Sequence, residues 1–188
     1  AITPNGQLAF VSAPTVYDYD RQAVEMETYL QIVDLTQSPA EIVEHLDLGA
    51  HPQAVAVNPA GSLALVTKVD GTVAVIEIDG KKVSLSDQLN ISDGRLSGVS
   101  FTHDGKAALV GLRDEQGVVV LDVSGSEVTT DFERISTGVA PYAIDVSSDG
   151  QWAVVGNAGL AGLGASGVQG DADTFTLVDV SSRPFRAV

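Results

Sequence analysis

Apolar residues along this chain come in short runs, and turns rich in Gly, Asp, Asn and Ser separate them at regular distances. The stretch "APYAIDVSSDGQWAVVGNAG" (140–159) shows the unit: two apolar runs on either side of an Asp-Gly turn, the first opening after a proline. Three further stretches repeat it: "AITPNGQLAFVSA" from Ala1, "HPQAVAVNPAGSLALVTKV" from His51 and "LSGVSFTHDGKAALVGLR" from Leu96. The turn glycines Gly6, Gly61, Gly105 and Gly150 lie 55, 44 and 45 residues apart. Glycine suits the closing position of such a turn because that position often needs positive φ. A third run follows each pair and carries an acid near its end: Asp34, Glu77, Asp122 or Asp179. A fourth run is more polar, as in "AEIVEHLDLG" and "KKVSLSDQLNI". Only "RQAVEMETYL" (21–30) is a helix candidate, and it is short.

Four Val-rich strands per repeat of about 45 residues predict an all-β fold, a β-propeller of about four four-stranded antiparallel blades. The physical reason is burial. One small twisted sheet cannot cover both its faces, but blades stacked around an axis cover each other. The inner strands then read as near-continuous apolar runs, as "AVAV", "LALV" and "VVVLDV" do, and the outermost strand stays polar. A β-sandwich of similar strand count does not explain the repeat length. The chain is therefore read as a single propeller domain or fragment over 1–188, with blade units at about 1–49, 50–94, 95–138 and 139–188.

There is no Gly-His opening and no Trp-Asp closing, so the repeats do not match the WD type. They resemble the lactonase-like, YVTN-type propeller repeat: Gly-x-x-Pro, a strand, a Pro-Asp-Gly-like turn, a strand, then a strand ending in Val/Ile-Asp. "GAHPQAVAVNPAG" (49–61) and "GVAPYAIDVSSDG" (138–150) carry the pattern, and "SDGRLSGVSFTHDG" (92–105) carries it without the proline. These residues are structural, so the resemblance speaks to fold more than to function. It implies a ring that typically has seven blades in one chain. The 188 residues hold about 3.6 repeats once two inserts are subtracted, so the chain reads as part of a larger ring, or as one that pairs with another copy. The resemblance also implies two catalytic possibilities: a lactonase acting on a sugar lactone, and the large subunit of a periplasmic amine-dehydrogenase-like complex.

Function is sought where the repeat is broken. From turn glycine to third-strand acid the distance is 16 and 17 residues in the second and third units, but 28 and 29 in the first and fourth. The inserts are "APTVYDYDRQAVEMET" (13–28) and "NAGLAGLGASGVQGDAD" (157–173). With strands numbered outward from the axis, both inserts share a rim with the links between blades. Long loops on a rigid scaffold are favoured sites of binding. That rim brings together the candidate ligand-binding residues His51, Arg95 and Tyr142. The D-x-D pairs Asp18/Asp20 and Asp171/Asp173 are candidate ligands for a hard cation such as Ca²⁺. No other cofactor is expected.

Composition narrows the partners. The net charge is −15, from 25 acids and 10 bases, so a phosphate backbone would be repelled and nucleic acid is not an expected partner. No apolar run is long enough to span a bilayer. The chain has no cysteine, which removes disulfides, thiolate metal sites and Cys nucleophiles together. No Ser-His-Asp order or Gly-x-Ser-x-Gly elbow points to a hydrolase triad. The expectation is a non-catalytic scaffold that binds a small polar ligand or a protein at the insert-bearing face, placed in the periplasm or outside the cell.

Overall fold

A computed structural model of the 188-residue chain describes residues 1–12, 15–18, 22–130, 133–160 and 174–188. Every regular element among them is a β-strand apart from single turns. No helix long and apolar enough to cross a membrane is present among the described residues.

The strands form successive antiparallel sheets, ordered from the axis outward. The first sheet is β1 (Leu8–Val11), β4 (Tyr29–Asp34) and β5 (Glu41–Asp47). The second is β6 (Pro52–Val57), β7 (Leu63–Lys68), β8 (Thr72–Asp79) and β9 (Lys82–Asn90). The third is β10 (Leu96–Phe101), β11 (Ala107–Leu112) and β12 (Gly117–Ser124), with an outer edge split between β13 (Glu127–Thr129) and β14 (Arg134–Ser136). The fourth is β15 (Pro141–Val146), β16 (Trp152–Asn157), β17 (Thr174–Asp179) and the short β18 (Arg186–Ala187). This is the β-propeller arrangement, with two departures from four strands per blade. Blade 1 has three strands, its inner position marked by a single Ile2–Ala9 bridge, and blade 3 shares its outer edge between two short strands.

The turn glycines behave as their spacing predicts: Gly6, Gly61, Gly105 and Gly150 have φ of 70°, 73°, 68° and 70°. The one helix candidate, 21–30, forms no helix over its described residues 22–30. The segment instead supplies β3 (Ala23–Met26), which pairs with β2 (Thr15–Asp18) in a separate two-stranded hairpin, and then enters β4. Ten residues are too few for a helix to stand alone, and the Val-bearing segment 15–18 opposite offers a β partner.

Blade packing follows a strict parity. Counting from each turn glycine, the second and fourth residues of the second strand face the next blade, and the third and fifth face the previous one. Leu8 and Phe10 meet Ala64 and Val66 between blades 1 and 2. Leu63 and Leu65 meet Ala108 and Val110 between blades 2 and 3. Ala107 and Leu109 meet Ala153 and Val155 between blades 3 and 4. Strands β7 and β11 are therefore buried along their whole length, whereas β16 alternates exposed and buried over its first four residues.

Candidate functional site

The three inner strands start alike. Each breaks register near its first residue, between Pro52 and Ala54, Leu96 and Val99, and Pro141 and Ala143. A bulge turns the strand and frees backbone groups at the rim, and the neighbouring blade answers with hydroxyls. Ser12 Oγ donates to the Gln53 carbonyl at 3.3 Å, and Thr67 Oγ1 donates to the Ser97 carbonyl. Ser12 and Thr67 occupy the same repeat position, six residues after the turn glycine. In blade 3 that position is Gly111. Ser97 Oγ fills the space and donates to the Pro141 carbonyl at 2.7 Å. A Cβ on Gly98 would lie 2.8 Å from the Tyr142 carbonyl oxygen, so glycine lets β10 and β15 close together.

These strands line one side of an open cavity of about 260 Å³ at the channel mouth, bordered by residues that include Gln53, Ser97, Val99, Tyr142 and Ile144. Tyr142 is exposed, and the Arg113 guanidinium of blade 3 lies over its ring at 5.0 Å. Arg95 stands on the same rim and is held by Asp114 through Nη2 to Oδ1 at 2.7 Å, Nε to Oδ2 at 3.1 Å and the backbone N–H to Oδ2 at 2.9 Å. The Arg95 guanidinium holds the Asp114 carboxyl below the usual carboxylate range. His51 is buried, and its Nδ1 donates to the Glu27 carbonyl at 2.7 Å, tying the base of the β2–β3 hairpin to blade 2. Of the three candidate ligand residues, only Tyr142 lines the cavity. Tyr142 also corresponds to Gln53 and Ser97 in the repeat, two residues further into the strand than His51 and Arg95.

The candidate metal residues Asp20, Asp171 and Asp173 lie outside the described residues, and so does the side chain of Asp18. Among the described residues no group of three or more His, Asp or Glu side chains could hold a metal ion.

Two polar features escaped the sequence reading. Lys68 reads as a rim base, yet its side chain is buried, with Nζ donating to the Leu48 carbonyl at 2.8 Å and to Gln88 Oε1. Its repeat equivalent in blade 4, Asn157, is also buried, with Nδ2 bonded to Thr174 and Thr176 hydroxyls and Oδ1 without a partner among the described residues. On the opposite rim, a cavity of about 490 Å³ sits between blades 3 and 4, beside His103, Lys106, Asp122 and Arg183. It is bounded by an ion pair that crosses blades, Arg183 to Asp122, and the sequence could have flagged it only by pairing the third-strand acid with a base of the next repeat.

No family model matches the sequence. The chain is 33% identical over 75 residues to WD repeat-containing protein 1 of Gallus gallus, which covers 40% of this chain and 12% of that protein. Solved structures resemble it over nearly its whole length. A functionally unknown protein from Desulfotomaculum acetoxidans superimposes with a TM-score of 0.73 at 18% identity, over 95% of this chain and 50% of its own. Hydrazine synthase of Kuenenia stuttgartiensis gives 0.70 at 20% identity, over 100% and 47%. The periplasmic gluconolactonase of Pseudomonas aeruginosa gives 0.68 at 15% identity, over 95% and 48%. The fold is the β-propeller. The chain spans about half the length of these three structures.

Proposed function

We propose that this chain is a propeller scaffold that binds a small polar ligand in the channel-mouth cavity, without chemistry of its own. The observation that carries the reading is the cavity of about 260 Å³ between three inner strands, with the exposed Tyr142 ring at its lip under Arg113. An aromatic face beside backbone carbonyls and an amide side chain suits a polyhydroxylated ligand such as a sugar acid or its lactone. Acid–base or nucleophilic catalysis needs a group within reach of the reacting atom. Of the three candidates on this rim, Arg95 is engaged by Asp114 and His51 by the Glu27 carbonyl, and Tyr142 is the one that lines the cavity, which favours binding over turnover.

A lactonase is the second reading. It is favoured by the likeness in fold to a gluconolactonase, a protein described as periplasmic, and export to the periplasm is part of the same proposal. Glucono-1,5-lactone separates the two. The scaffold reading expects the lactone or gluconate to raise the melting temperature without being consumed, and Tyr142→Ala to abolish the rise. Hydrolysis above the spontaneous rate, removed by Tyr142→Ala or Arg95→Ala, would replace it with the lactonase reading. Neither a thermal shift nor hydrolysis with these compounds overturns both.

A further inference from the structure

On the rim opposite the channel mouth, the turn between the first and second strands of each blade packs against the turn glycine of the next. Pro4 takes that place against Gly61, and Pro59 against Gly105. In blade 3 the residue is His103, which packs against Gly150. The position after the turn glycine is uncharged in the other blades, as Gln7, Ser62 and Gln151, but is Lys106 in blade 3. The fold therefore requires neither base. Both border the cavity of about 490 Å³ between blades 3 and 4, and Arg183 of blade 4 borders it too. The whole chain has 10 Lys and Arg and 3 His against 25 acids, so three bases at one cavity are a concentration that composition alone does not supply.

The acids at this cavity are committed elsewhere. Asp104 Oδ1 accepts from the Thr102 hydroxyl at 2.7 Å and the Lys106 backbone N–H at 3.1 Å. Asp149 Oδ1 accepts from the Ser147 hydroxyl at 2.5 Å and the Gln151 N–H at 3.0 Å. Uncharged Asn5 accepts the same two bonds in blade 1, so these carboxylates serve their turns. Asp122 is paired with Arg183. Among the described residues, no hydrogen bond or ion pair engages the Lys106 ammonium or the His103 ring. The nearby carboxylates offset the field of the bases at a distance, so an anion gains here only by touching these donors. Beside them the wall is apolar: Ala107, Val180 and Phe185 belong to the core between blades 3 and 4. We infer that this cavity binds a small organic carboxylate, with Lys106 and His103 donating to its oxygens and the apolar wall receiving its body. The volume is that of a small-ligand pocket. Charge-assisted hydrogen bonds orient the carboxylate, and the apolar wall favours an organic anion over an inorganic one. The site is separate from the channel-mouth cavity, with which it shares no lining residue.

The test titrates benzoate into the 188-residue chain by calorimetry at constant ionic strength, and saturable binding is expected. Inorganic phosphate lacks the apolar body and benzyl alcohol lacks the charge, so each is expected to bind about tenfold more weakly or worse. Lys106→Gln, a change on an exposed side chain, should lower benzoate affinity about tenfold, and Lys106→Arg should retain it. The decisive variant combines His103→Pro with Lys106→Gln, which gives blade 3 the residues that blade 1 has at both positions. It is expected to keep the melting temperature of the wild type and to lose benzoate binding. Tyr142→Ala, on the other rim, should leave benzoate affinity unchanged. Several results would each overturn the site: no saturable benzoate binding, phosphate binding as tightly as benzoate, wild-type affinity in Lys106→Gln, or loss of binding in Tyr142→Ala.

Discussion

At the scale of single residues, the channel mouth is fastened by hydroxyls that trade places. Blades 1 and 2 reach forward from the second strand with Ser12 and Thr67, whereas blade 3 has Gly111 there and uses Ser97 from its own inner strand. The two solutions exclude each other sterically, because a Cβ on Gly111 would overlap Ser97 Oγ. Ser97→Ala is expected to cost about 1–2 kcal/mol, since it leaves the buried Pro141 carbonyl without its donor. Gly111→Ser alone is expected to destabilise by crowding. Added to Ser97→Ala, however, it restores a hydroxyl at the position of Ser12 and Thr67, within reach of the Tyr142 carbonyl that corresponds to Gln53 and Ser97, and should recover part of the stability. Urea midpoints of the two single variants and the double variant form a cycle. Additive losses in the double variant would show that the hydroxyls are not interchangeable fasteners.

At the scale of elements, the acid near the end of each third strand does more than satisfy its own turn. Asp34 accepts from the Thr36 backbone N–H at 2.9 Å and hydroxyl at 2.7 Å, and also from Lys81 of blade 2 at 2.8 Å. Arg183 of blade 4 reaches Asp122 and Glu133 of blade 3 in the corresponding way. The Lys81 ammonium, followed by the Thr36 donors, holds the Asp34 carboxyl well below the ordinary carboxylate range. Its folded value lies below its unfolded value, near 4. The contribution to stability is therefore fully present above about pH 4 and is lost as the pH falls below that towards the folded value. Asp34→Asn should lower the melting temperature at neutral pH and flatten its decline on acidification, and Lys81→Met should do the same more weakly. Parallel melting-versus-pH curves for wild type and Asp34→Asn would rule out this role.

Turn glycines, strand order and the polar outer edge were legible in the sequence because each follows from a rule local to a few residues: positive φ, period-two burial and solvent exposure. The hairpin over 15–26 was less legible, since a short segment such as "AVEM" suits helix or strand until a pairing partner decides it. The burial of Lys68 was not legible at all. It depends on a carbonyl 20 residues upstream and an amide 20 residues downstream, and no spacing rule joins the three. The same holds for Arg95, whose place on the rim was expected from the repeat but whose pairing with Asp114 needs the link and the next turn to meet in space.

At the scale of the whole molecule, protection should fall away from the middle of the stack. Repeat proteins derive their stability from nearest-neighbour interfaces as well as from each unit. Blades 2 and 3 have two such interfaces each, and blades 1 and 4 have one. In the 188-residue chain, amide exchange should be slowest in β7, β8, β11 and β12, whose side chains are buried on both faces, and faster in β1, β16 and β17. The hairpin β2–β3 belongs to no blade sheet and should exchange faster than the strands of blades 2 and 3. Equal exchange rates across all four blades would mean that the interfaces between blades do not set the local stability.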